Sequence, residues 1–212
     1  MTDVICSIKK YYLCKSKIQN GMNNSIYVKL SKSQIDKIGN TMVYLSKNIK
    51  RLSKTKLLKL LYILDEISIK SSGIPFLNLQ YKVWKYGPVS AELFIDLSQK
   101  NDLGKLKDFI KKDKEGHIHA NADFVDDEFS DSDIDLMDKV ISKYGKLSAN
   151  DLIDFTHRPD GLWYETAKKN NVLTLLQNEE TNNTDFVIDM RSLVSDDPIK
   201  SRIYDDYVEL FG

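Results

Sequence analysis

The stretch Leu57–Ile69 constrains this chain more than any other. Leu57, Leu60, Leu61, Leu64 and Ile67 recur at helical spacing, and Leu58 and Ile63 widen the stripe to more than one face. Ser53 stands where an N-cap is needed, because its hydroxyl can accept from an amide of the first turn. Gly73 and Pro75 mark the stop, Gly by tolerating positive φ and Pro by being unable to continue the ladder. A helix apolar over so much of its circumference has to be covered on several sides, so the rest of the chain is expected to wrap around it. Lys59, Asp65 and Glu66 interrupt the run, which falls short of the roughly 20 apolar residues of a membrane-spanning helix.

The flanking segments supply that cover. Ile35, Ile38, Met42, Leu45 and Ile49 define a helix from Ser33, expected as its cap, to near Lys50. After Pro75 the period changes to two: Leu77, Leu79, Tyr81 and Val83 alternate, which predicts a strand over Leu77–Trp84. Gly87 then supplies a turn, Pro88 sits as the first residue of a helix, and Val89–Ser98 continue it. Phe109–Lys111 and His117–Ala120 flank Asp113-Lys114-Glu115-Gly116, the composition of a β-hairpin. The acidic cluster Asp126, Asp127, Glu128, Asp131, Asp133 and Asp135 precedes a helix carrying Ile134, Met137, Ile141 and Tyr144, where negative charge suits the helix N-terminus. Gly145 ends that helix, and Ser148 with Asp151 reads as a capping box for the next, which runs to Pro159. A short helical piece at Gly161–Tyr164, an extended segment at Asp185–Ile188 and a last helix from Asp197-Pro198 with the stripe Ile199, Ile203, Tyr207 and Leu210 complete the chain. The expected class is α+β, mainly α-helical, with a small antiparallel β element. Residues 1–30 form an N-terminal segment with a short strand at Ile26–Leu30, and residues 31–212 form one helical domain that includes the C-terminal helix.

Composition narrows the setting. The 212 residues are long enough to bury a core without staples, and 42% hydrophobic with 29% charged residues describes a globular chain. Asp3, Lys9 and Lys10 break up the first apolar positions too early for a signal peptide, and Cys6 and Cys14 are the only cysteines, read as free thiols; a cytoplasmic location is expected. Zero net charge hides an asymmetry. Residues 1–114 carry 22 Lys and Arg against 9 Asp and Glu, and the remainder carries 9 against 22. Either the halves compensate one another within one body, or the surface is dipolar and steers charged partners.

Catalytic signatures are missing from the sequence: no phosphate-binding loop, dinucleotide fingerprint, nucleophile elbow or zinc-spaced histidine pair on a helix. No catalytic residue, metal or cofactor is assigned, and the chain is not expected to be an enzyme. His117 and His119 alternate on one strand face, a possible metal seat for which no spacing places a third ligand. His157, before Arg158-Pro159-Asp160 and Trp163, is read as answering helix-end carbonyls or a carboxylate. Asp65 and Glu66 are adjacent on a helix, so they diverge and form no catalytic dyad; one is expected inward and one solvated. Trp84 and Tyr86 are read as core residues or as a partner-facing aromatic pair. Lys47, Lys50, Arg51, Lys54, Lys56 and Lys59 crowd one helix junction, as a solvated basic face or a phosphate-binding one.

Two landmarks together carry a family resemblance. Lys56–Asp65, Gly73-Ile74-Pro75-Phe76 and Val83-Trp84-Lys85-Tyr86-Gly87-Pro88-Val89 form the first, and Tyr144-Gly145-Lys146-Leu147-Ser148-Ala149-Asn150-Asp151-Leu152 with Thr156-His157 and Trp163 forms the second. Over roughly residues 50 to 167 the chain resembles the Panacea domain family of SocA-like antitoxins, related to phage-associated proteins of the GepA type. Arg158–Leu162 departs from the family pattern before the Trp, and the first 50 residues match no familiar module. The resemblance implies a type II antitoxin that binds and blocks a cognate protein toxin, in a family whose shared domain serves diverse toxins. It puts Trp84, Tyr86, Gly87, Pro88, His157 and Trp163 forward as family-motif or partner-binding positions. An adaptor that delivers its partner to a protease and a DNA-binding transcriptional regulator are the alternatives; nucleic acid is a less favoured partner, and a membrane is not expected.

Overall fold

The structure, a computed structural model, describes residues 30–99 and 103–211. Cys6, Cys14 and, except for Leu30, the strand expected at Ile26–Leu30 lie outside the described residues. The described elements from Lys32 onward belong to one unit, residues 32–212.

The broad apolar stripe becomes the central helix. Helix α1 spans Lys32–Asn48 and α2 spans Lys54–Ser72, with Ser53 accepting from the Lys56 amide at its start. At the far end Gly73 takes φ +82 and returns its amide to the Ile69 carbonyl, 2.8 Å away. Leu57, Leu60, Leu61, Ile63 and Leu64 are all buried, as are Lys59, Asp65 and Glu66 between them. Three further helices, α4 (Asp131–Tyr144), α5 (Ala149–Thr156) and α8 (Pro198–Phe211), pack on α2, together with strand β2 (Gly87–Val89) and a 3-10 turn at Met190–Val194. Short helices α3 (Ala91–Asp96), α6 (Leu162–Lys169) and α7 (Leu173–Gln177) complete the eight α-helices among the described residues. The mainly helical α+β architecture read from the sequence is the one observed.

Two small antiparallel sheets accompany the helices. β1 (Lys82–Trp84) lies between β2 and β5 (Asn183–Val187), and β3 (Ile110–Lys112) pairs with β4 (Ile118–Ala120). The β3–β4 hairpin is tied to the start of α2: the Ile118 amide donates to the Leu52 carbonyl at 2.8 Å, and Ser53 bridges His117. The expected capping box of Ser148 with Asp151 is present on α5, and α4 carries a second one, Ser130 with Asp133, that the sequence reading did not name.

Several local expectations are corrected. Helix α1 begins at Lys32, so Ser33 lies within its first turn and donates instead to Glu128 at 2.7 Å. The strand expected over Leu77–Trp84 shrinks to Lys82–Trp84, because the Asp65 carboxylate takes the amides of Leu77, Asn78 and Leu79 that a ladder would need. Pro88 does not open a helix. It pairs with Val83 in β2, an edge strand where a missing N–H is tolerated, and α3 begins only at Ala91. Along α8, Ile203 and Tyr207 are half-buried, while Ile199 and Leu210 are 74% exposed; the expected stripe packs only through its middle.

Candidate functional site

The two motif segments meet behind the β1–β2 hairpin. Trp84 on β1 is buried and sends its indole N–H to the Thr184 carbonyl of β5 at 3.2 Å, while Thr184 Oγ1 donates to the Val83 carbonyl at 2.7 Å. Trp163 on α6, also buried, donates from Nε1 to the Trp84 carbonyl at 2.9 Å. The second Trp therefore clamps the strand that carries the first.

Gly87 turns the chain at φ +97, in the region that side chains disfavour, and a Cβ there would stand 2.7 Å from Thr156 Oγ1 and 2.9 Å from Lys59 Nζ. Lys59 rises from α2 into this gap and donates to the Pro88 carbonyl at 2.9 Å. Its ammonium is wholly enclosed, and burial pulls its pKa down to about 7. Position 87 thus has to be Gly for backbone and for space, and Lys59 ties the central helix to the hairpin.

His157 follows α5 and stacks on Trp163, with ring centroids 3.7 Å apart and an interplanar angle of 14°. Its Nε2 is buried with no hydrogen-bond partner among the described residues, and burial, helped by the nearby Lys59 charge, lowers its pKa to about 4. Among the described residues the ring neither answers the helix-end carbonyls nor meets a carboxylate, which corrects the expectation. Arg158 takes that role. Its guanidinium donates to the Phe155 carbonyl at 3.0 Å, lies over the Phe155 ring and pairs with buried Glu66, which Lys70 also meets at 2.7 Å.

Glu66 is therefore not solvated, and neither is Asp65. Asp65 accepts from the Leu77 amide at 2.6 Å and from the Tyr81 hydroxyl at 2.7 Å; burial pushes its pKa up, and the donors around it pull it back. The two carboxylates serve different partners, so no dyad forms.

Of the six motif positions, Trp84, Gly87, Pro88 and Trp163 are buried, His157 is half-buried and Tyr86 is 55% exposed. Trp84 and Tyr86 thus do not share a face. Tyr86 projects at the turn beside Lys85, whose ammonium is 5.0 Å from the Tyr86 ring centroid and 2.9 Å from Glu179 Oε1. Sequence reasoning did not set Lys59, Thr156 or Arg158 in this frame. Lys59 had one signal, a lone cation inside an apolar stripe.

The basic cluster does not form one face. Lys59 is enclosed, Lys56 is buried and reaches the Gly145 carbonyl at 2.6 Å, and Lys54 donates to Ser98 Oγ at 3.0 Å. Lys47, Lys50 and Arg51 remain exposed, and Lys47 pairs with Asp123. On the β3–β4 turn, Asp113, Glu115 and His117 bring possible metal donors within 4.8 Å of one another. No helix among the described residues is long and apolar enough to cross a membrane.

Comparison with known proteins adds one match. The family described as antitoxin SocA-like, Panacea domain, matches residues 57–164, half of the chain, and that span contains Lys59 and all six motif positions. No curated protein and no solved structure matches.

Proposed function

Because the chain belongs to the SocA-like antitoxin family with a Panacea domain, we propose that it is the antitoxin of a type II toxin–antitoxin pair, acting in the cytoplasm by binding a protein toxin directly. In this reading it is a binding protein and performs no catalysis. The observation that supports it is the division between frame and surface. The family-matched span spends its motif residues on an interior frame, Lys59 to Pro88 and Trp163 to Trp84. Of the large apolar side chains exposed among the described residues, Leu175, Phe186, Val187, Ile199, Leu210 and Phe211 lie beyond that span, and Ile74, Tyr86 and Val125 within it. A domain that serves diverse toxins needs a common frame and an individual surface, and apolar groups on the surface are what a partner's contact centre uses. Tyr86 adds one exposed aromatic from the frame itself.

A double substitution, Leu210→Asp with Phe211→Asp, tests the contact. Both side chains are more than 60% exposed, so the melting temperature is expected to hold while co-purification with the toxin and protection of growth fall together. Full protection by the double variant would remove the end of α8 from the contact. A pulse-chase of the bound partner separates blocking from delivery to a protease: a blocked toxin keeps its lifetime, and a delivered one loses it.

A further inference from the structure

The β3–β4 hairpin supplies the third donor that residue spacing alone did not place beside His117 and His119. Asp113 opens the turn, and its Oδ1 accepts from the His117 amide at 2.8 Å, which fixes the carboxylate over the strand ends. Its Oδ2 then lies 3.3 Å from His117 Nδ1 and 2.8 Å from His119 Nε2, so two imidazoles converge on one oxygen. Glu115, two residues on, brings a second carboxylate into the group with Asp113 and His117, all within 4.8 Å.

The 3.3 Å between His117 Nδ1 and Asp113 Oδ2 is close to the separation of neighbouring ligands of a tetrahedral ion, and the 2.8 Å from His119 Nε2 is a hydrogen bond that an arriving ion opens. With metal–nitrogen and metal–oxygen bonds of about 2.0–2.2 Å, neighbouring donors stand roughly 3.4 Å apart. The donor set, two imidazole nitrogens and two carboxylate oxygens, suits borderline first-row divalent ions rather than magnesium or calcium, which prefer all-oxygen shells. The platform is held from below. Ile110 and Ile118 are buried, the Ile118 amide donates to the Leu52 carbonyl, and Lys112 donates to the Gln99 carbonyl at 2.9 Å and to that of Leu97. Little backbone order is left to impose when an ion arrives.

We propose that the hairpin tip is a binding site for a divalent transition ion of the zinc class, with Asp113, Glu115 and His117 as ligands and His119, turning from its hydrogen bond with Asp113, as the fourth donor. On binding, each imidazole presents the nitrogen that now faces Asp113 as a neutral base, and any proton on that nitrogen moves to the other ring nitrogen or to solvent. The site is independent of the toxin-binding reading, since it involves neither the interior frame nor the exposed groups of β5 and α8.

Titration of the full chain with zinc chloride, followed by calorimetry and by thermal melting, tests it, with magnesium chloride as the contrasting ion. Expected are saturable zinc binding that raises the melting temperature, no response to magnesium, and a loss of zinc affinity of at least about tenfold in His119→Gln and in Asp113→Asn. His119 is exposed, so its variant keeps the fold. A Cys6→Ser, Cys14→Ser double variant is expected to bind zinc as the original chain does. In imidazole nitrogen-15 spectra, zinc is expected to move His117 Nδ1 and His119 Nε2 and to leave His157 unchanged. Absence of zinc-specific binding, undiminished affinity in His119→Gln, or binding lost with the two cysteines would each overturn the site.

Discussion

At Gly87 two requirements coincide, a φ of +97 and a Cβ position already held by Thr156 Oγ1 and Lys59 Nζ. Gly87→Val is therefore expected to lose about 3 kcal/mol or more, from the left-handed backbone and from displacing the Lys59 contact, with toxin binding lost as the hairpin shifts. Urea unfolding measures it, and an unchanged midpoint would show that the turn needs no special backbone. His157 makes a prediction about pH. Its folded pKa of about 4 lies below the ordinary 6.5, so the unfolded chain takes up a proton first as pH falls. Its contribution to stability is complete above about pH 6.5 and is lost as pH drops toward 4, where a charged ring would face Trp163 and the Lys59 charge. His157→Phe keeps a flat ring against Trp163 and is expected to flatten the stability profile within that window. An unchanged acid slope would assign the loss to other groups.

Asp65 shows how one side chain decides an element. The amides of Leu77, Asn78 and Leu79 turn inward to its carboxylate, so a segment with the alternation of a strand runs as a loop, and Asn78 adopts φ +53 to allow it. Asp65→Ala would strand three amides and the Tyr81 hydroxyl in the core, and is expected to cost roughly 3–5 kcal/mol in denaturant unfolding. Ser148→Ala removes only the capping box of α5 and is expected to cost about 1 kcal/mol. What was legible in the sequence were features governed by near neighbours: the Ser53 and Ser148 caps, the Gly73 stop and the turn between β3 and β4. Alternation also marked Leu77, Leu79, Tyr81 and Val83 correctly as buried. What was not legible depended on partners distant in sequence. The place of Pro88 in an edge strand follows from pairing with Val83 and from Lys59, and the burial of Glu66 follows from Arg158, 92 residues away.

Across the whole molecule the charge asymmetry resolves partly by pairing. Lys37 meets Asp133, Lys47 meets Asp123, Lys82 meets Asp185 and Lys85 meets Glu179, each joining the basic first half to the acidic second. Exposed pairs of this kind contribute between about 0 and 1 kcal/mol each, so they offset charge between the two halves more than they hold the fold. The fold rests on α2, enclosed by elements from both halves, with the β1–β2 hairpin locked to it through Lys59 and to α6 through Trp163. Beyond that frame, Phe186 and Val187 on β5 and Ile199, Leu210 and Phe211 on α8 present exposed apolar side chains, the surface the antitoxin reading assigns to the partner. The most direct measurement is growth of cells expressing the product of the adjoining gene, with and without this chain, followed by co-purification on a tag. Arrest without the chain, growth with it, and a stable complex between the two proteins are the expected results. A product that is harmless alone and forms no complex would contradict the antitoxin reading.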